Sequence, residues 1–190
     1  MVSKNFPVID VMQLPLCALP LADVVSLISD AVNDGEGGWV VTPNLDILRR
    51  WSRDESFRQL VADATLFTPD GAPLVWASHL QGTPLPERVA GSDLFTALCK
   101  RAAELGISVA FIGGNPGVAE LAKGHLQQVH PGLNVVGTLC PPLGFESSQE
   151  EMQKITEFVV SNPAQIYFVG LGSPKQEQLI NQIKPLSSQS

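Results

Sequence analysis

The chain has 190 residues, 44% hydrophobic and 16% charged, with a formal net charge of −7. That length suggests one domain with a sizeable core, and the acidic balance argues against a nucleic-acid partner, which asks for a basic face. Mean hydropathy is high at +0.14, yet no window approaches the ~18 consecutive apolar residues of a membrane-spanning helix.

Met1 to Phe6 lacks the basic and apolar regions of a signal peptide, so a cytosolic protein is expected. Phe6 to Val11 and the short run after it read as an opening strand or hairpin. Leu21 to Val32 places Leu21, Val24, Val25, Ile28, Ala31 and Val32 on one side of a helix. Gly35 to Gly38 is a turn, and Trp39-Val40-Val41 is a short buried strand ending at Thr42-Pro43-Asn44. Asn44 is placed to cap a helix through Ile47, Leu48, Trp51 and Leu60, because its side-chain oxygen can take up a free N–H of the first turn. Thr65-Leu66-Phe67 is a strand ending at Thr68-Pro69-Asp70-Gly71, and a helix follows through Leu74, Val75 and Ala77.

Gly82 to Gly91 reads as a proline-rich loop, with Ser92 capping a helix to about Leu105. Ile107 to Ile112 is a strand, Gly113-Gly114-Asn115-Pro116-Gly117 its turn, and Val118 to Val129 a helix. Leu133 to Val136 is a strand, Cys140 to Phe145 a loop, Gln149 to Ser161 a helix and Gln165 to Val169 a last strand. A helix from Pro174 ends near Ile183. The alternation predicts an α/β fold, a mainly parallel Rossmann-like sheet with helices on both faces. Residues 1–183 are expected to form a single domain with room for two lobes, and 184–190 a polar tail.

Ligands of open parallel sheets sit at the carboxyl ends of the strands, and four such ends here combine glycine, proline and polar residues. The turn at Gly170-Leu171-Gly172-Ser173-Pro174-Lys175-Gln176-Glu177 lets backbone N–H groups and a helix start approach a phosphate. Lys175 adds a cation and Gln176 an amide able to meet a ring or sugar. Gly113 and Gly114 form a similar turn, although a tight strand-to-helix connection would use the same residues. No acid follows Gly113 at the spacing a dinucleotide fold needs, and no Gly-Lys-Ser/Thr P-loop occurs.

Asp70 is the candidate general base, a strand-end carboxylate able to take a proton from a hydroxyl; an ordinary turn aspartate is the plainer alternative. Arg88 suits bidentate phosphate contact, and Asp93 reads as structural at its helix start. Thr42 and Asn44 could hold a sugar or base. There is no Asp-x-Asp to hold a diphosphate-bound metal, which leaves cations and helix ends as stabilisers of a leaving diphosphate. Cys17, Cys99 and Cys140 are widely separated and read as buried thiols rather than disulfide or zinc partners. His79, His125 and His130 lack metal-ligand spacing.

As an ordered set these motifs resemble the WecG/TagA/CpsF glycosyltransferase family: Thr42-Pro43-Asn44, Thr68-Pro69-Asp70-Gly71, Arg88-Val89-Ala90-Gly91-Ser92-Asp93, Phe111 to Ala119, Pro141 to Glu146 and Gly170 to Glu177. The resemblance implies an inverting, metal-independent transfer, without cofactor, of an N-acetylmannosamine-type sugar or related hexose. The donor would be a UDP-sugar and the acceptor a polyprenyl-diphosphate-linked saccharide for bacterial wall or surface polysaccharide. It would act at the inner face of the plasma membrane. Asp70 would be the base, Thr42 and Asn44 would position sugar or acceptor, Arg88 would bind phosphate, and Gln176, with Gly172 and Lys175, would meet the donor.

Members of the family continue beyond Pro-Lys-Gln-Glu. The resemblance therefore implies a further segment, with arginines and a membrane-docking surface, that this sequence lacks, and weak or no activity without it. Apolar surface left uncovered by it would favour a homo-oligomer. The alternatives are a nucleotide or nucleotide-sugar binding protein without chemistry, and an interaction protein whose strand-end loops are only turns.

Overall fold

The computed structural model describes residues 6–187. Met1 to Asn5, which entered the signal-peptide argument, and Ser188 to Ser190 of the expected tail lie outside the described residues. The chain divides into two compact units, Met1–Leu98 and Cys99–Ser190.

The first unit opens with an antiparallel hairpin, β1 (Val8–Val11) and β2 (Leu14–Cys17). Its two-residue turn puts Met12 and Gln13 at φ of 50° and 64°, the left-handed region a tight hairpin turn demands. α1 (Leu21–Asn33) buries Val24, Val25 and Ala31. β3 (Val40–Val41) pairs in parallel with β4 (Leu66–Phe67). Between them the single helix expected from Asn44 to Leu60 is two, α2 (Leu45–Arg53) and α3 (Glu55–Leu60). Asp54 breaks it: its backbone is extended, and its carboxylate accepts from the Phe57 N–H at 3.1 Å, capping α3 as a second start. α4 (Ala72–Leu80) follows β4 directly.

The β3–β4 pairing continues past both strands, and this places the functional loops. Thr68 N–H donates to the Val41 carbonyl at 2.9 Å and Asp70 N–H to the Pro43 carbonyl at 2.8 Å. Val89 N–H then donates to the Pro69 carbonyl at 2.8 Å, so residues 89–91 run beside 69–70. α5 (Gly91–Leu105) starts there, one residue before the Ser92 cap that the sequence suggested.

The second unit is built on a three-stranded parallel sheet in the order β6-β5-β7. β5 (Ser108–Gly113) is central, flanked by β6 (Asn134–Leu139) and β7 (Ile166–Gly170). α6 (Val118–Val129), α7 (Gln149–Ser161) and α8 (Lys175–Ser187) alternate with the strands. Ile112, Phe145, Ile155, Val159, Leu179 and Ile183 form a buried cluster. β6 runs three residues beyond the expected Val136. α8 extends through Pro185, beyond the expected end near Ile183.

The α/β class and the parallel strand pairing match the sequence reading, with the strands of the described residues distributed over three small sheets. Cys17 and Cys99 are buried free thiols, and burial pushes the Cys99 thiol up to about 12. Cys140 is partly exposed, its thiol 3.0 Å from the Gly114 carbonyl oxygen.

Candidate active site

In the first unit the ends of β3 and β4 bring Thr42, Asp70 and Gly91 together. The Asp70 carboxylate accepts from the Gly91 N–H through Oδ2 at 3.0 Å. Oδ1 makes no hydrogen bond among the described residues. The carboxylate is partly exposed and meets the N-terminus of α5, where the helix dipole favours negative charge. A hydrogen-bonded carboxylate with one oxygen free is equipped to accept a proton from an incoming hydroxyl. Thr42 lies close to the same point: an added Cβ at Gly91 would be 3.1 Å from Thr42 Oγ1 and 3.5 Å from Asp70 Oδ2.

The remaining first-unit candidates have structural duties. Asn44 Oδ1 accepts from the Ile47 N–H at 3.0 Å, capping α2, so that oxygen is committed before any ligand arrives. Arg88 pairs with Asp93 at 2.8 Å. With the Arg88 side chain 49% exposed, the guanidinium keeps donors that face solvent.

The second unit arranges its candidates differently. Gly113 and Gly114 have φ of 123° and 80°. An added Cβ at Gly113 would fall 2.2 Å from the Gly170 carbonyl oxygen, and Gly114 N–H donates to that oxygen at 3.1 Å. Gly113 is therefore required by the close approach of two backbones at the β5–β7 ends. Gly172, at φ of 77°, makes the turn into α8 and accepts from the Gln176 N–H at 3.0 Å. Lys175 Nζ is held by Glu146 Oε1 at 2.5 Å, and its ammonium keeps the Glu146 carboxyl below the usual glutamate range. Both line a cavity of about 120 Å³ with Phe145, Met152 and Gln182. The Gln176 amide donates to Glu177 Oε1 at 3.1 Å.

Three polar features were missed by the sequence reading. Glu177 is 1% exposed, and its Oε2 has no hydrogen-bond partner among the described residues. The Thr68 hydroxyl, at the end of β4, is likewise buried and unpartnered among the described residues. Neither residue type signals burial in a sequence. Gly91 was read only as the end of a loop and as part of a motif; its neighbours Val89 and Ala90, apolar in the sequence, were the available hint that the backbone there is enclosed, and both are buried. No group of three or more His, Cys, Asp or Glu residues able to hold a metal occurs among the described residues. No described helix is long and apolar enough to cross a membrane.

Comparison with known proteins gives a single family. The model of the glycosyl transferase WecG/TagA/CpsF family matches residues 9–189. An N-acetylglucosaminyldiphosphoundecaprenol N-acetyl-beta-D-mannosaminyltransferase of Bacillus spizizenii is 28% identical over 159 residues, 84% of this chain and 60% of that protein. A Staphylococcus aureus protein of the same name is 29% identical over 142 residues, 75% of this chain and 54% of the relative. The matches thus cover less than two thirds of the length of these curated relatives.

Proposed function

We propose that this chain, which belongs to the glycosyl transferase WecG/TagA/CpsF family, takes part in the transfer of N-acetylmannosamine from a UDP-linked donor to N-acetylglucosaminyl-diphospho-polyprenol, a step of bacterial wall-polymer synthesis at the inner membrane face. The acceptor and sugar follow the names of the relatives. The observation that carries the reading is the Asp70 carboxylate, fixed through Oδ2 on a helix start with Oδ1 unengaged.

The chemistry is an inverting displacement. The acceptor hydroxyl oxygen attacks the anomeric carbon, the bond from that carbon to the diphosphate oxygen breaks, and UDP leaves with the electron pair. Asp70 Oδ1 takes the hydroxyl proton as the new bond forms. Thr42 and the Asn44 amide nitrogen position the acceptor or sugar. The exposed donors of Arg88 and the glycine turns at Gly113, Gly114 and Gly172 meet phosphate oxygens, and Lys175 and Gln176 complete the donor side, stabilising charge on the leaving diphosphate. The reaction is proposed to run without a bound metal, so excess chelator leaves turnover unchanged.

Asp70→Asn tests the base. Removing it should cost about 10²- to 10⁴-fold in turnover, with UDP-sugar binding and melting temperature retained. The transfer is followed with radiolabelled UDP-sugar and a short-chain lipid acceptor. Undiminished turnover in Asp70→Asn would falsify the assignment.

A further inference from the structure

We infer that Gly91 is a positioning residue for Asp70, aiming the carboxylate through its N–H and through the absence of a side chain. The inference rests on the reading of Asp70 as base. Glycine at the first position of a helix is not needed for conformation here: Gly91 is not among the residues at positive φ. Glycine also costs more backbone entropy on folding than alanine. What singles out the position is space. The Thr42 hydroxyl, 3.1 Å from an added Cβ, is closer than ordinary van der Waals contact, and Asp70 Oδ2 follows at 3.5 Å. A methyl there must displace Thr42 or the helix start by a few tenths of an ångström, with Asp70 Oδ2 in van der Waals contact beside it.

The helix start cannot move freely. Val89 and Ala90 are 0% and 2% exposed, and Val89 N–H is tied to the Pro69 carbonyl. Asp70 is in turn tied to Pro43 through its own N–H. The soft element is therefore the side-chain pair: the Thr42 hydroxyl gives first, and Asp70 Oδ2, touching the same methyl, is drawn into the rearrangement and loosens its bond to the residue 91 N–H. With Oδ2 held, the carboxylate plane is set and Oδ1 is left for the acceptor proton. With Oδ2 released, the carboxylate rotates and proton transfer loses its geometry, an effect that small misplacements make large.

Two measurements test this, the first on the 190-residue chain and the second on a form that carries out transfer. In the first, crystal structures of the unaltered chain and of Gly91→Ala are compared. In Gly91→Ala the Asp70 carboxylate should be rotated, with Oδ2 out of hydrogen-bond reach of the residue 91 N–H, while the charged pair Arg88–Asp93 at the same helix start is left intact. A carboxylate that keeps its bond to the residue 91 N–H overturns the inference, whether or not the chain turns over.

The second measurement is a double-mutant cycle on transfer. Gly91→Ala should lower kcat about tenfold or more with donor KM unchanged, and should have no further effect in Asp70→Asn. Equal losses in both backgrounds, or a loss accounted for by a lowered melting temperature, assign Gly91 to packing and overturn the inference. Full turnover in Asp70→Asn would instead sink the base assignment, while the crystal structure of Gly91→Ala would still judge the contact between Gly91 and Asp70.

Discussion

The Asp70 site and the Gly170–Glu177 turn are both strand-end loops leading into helices, yet they use their polar groups in opposite ways. At Asp70 the backbone holds one carboxylate oxygen and leaves the other open. In the turn, Lys175 is engaged by Glu146, the Gln176 amide by Glu177, and the paired glycine Gly113 by the Gly170 backbone. The loop proposed to do chemistry keeps an acceptor oxygen free. A loop that must first hold two strand ends together satisfies its groups internally, and a ligand there has to compete with existing partners. The comparison teaches that a glycine-rich, cation-bearing turn is weak evidence for binding until the partners of its side chains are known.

The strongest way to break this contrast is Gly113→Ala. A Cβ 2.2 Å from the Gly170 carbonyl oxygen, at a φ of 123°, cannot be accommodated without separating β5 from β7. The expected loss is on the order of 3 kcal/mol, a fall of roughly 10 °C in melting temperature for a chain of this size. A variant that keeps its Tm but no longer binds UDP would show that Gly113 serves the ligand rather than the fold.

Asn44→Ala comes next. Loss of the α2 cap should cost about 1 kcal/mol, read as a Tm shift of roughly 3 °C, with Asn44→Ser or Asn44→Asp restoring it. A fall in turnover without a change in Tm would move Asn44 from cap to substrate contact.

The smallest effect concerns Glu146. Its carboxyl is depressed by the Lys175 ammonium, so the pair contributes stability above the unfolded glutamate value near ~4.3 and loses it as pH falls through the lower folded value. Wild type should exceed Glu146→Gln slightly in Tm at neutral pH, and the two should converge at acid pH. The pair is partly exposed on both sides, which keeps the gain small. If Glu146→Gln instead tightens UDP binding, Lys175 is a donor-side cation that Glu146 restrains.

Much of the fold was legible before any coordinates. The apolar runs at Trp39-Val40-Val41, Leu66-Phe67 and Ile107 to Ile112 marked buried strands, and Asn44 marked a helix start, because strand burial and capping are local preferences. The break at Asp54 was not read, although the apolar spacing slips there: the positions that follow Trp51 on the same helix face are Asp54, Glu55 and Arg58, and the bond from the Phe57 N–H to Asp54 starts a second helix. Asp70 could be named as a candidate because strand-end acids in α/β proteins lie where ligands bind. Its orientation could not, because the group that orients it lies 21 residues away along the chain.

The sequence by itself therefore determined the alternation of strands and helices, the parallel α/β class and the ordered motifs that identify the family. Each of these depends on residues within a few positions of one another or on their order. Tertiary structure decided which loops became neighbours, which oxygen of Asp70 remained free and which glycines were demanded by close backbone approach. Those outcomes depend on contacts between distant segments, where a few tenths of an ångström separates a hydrogen bond from a clash.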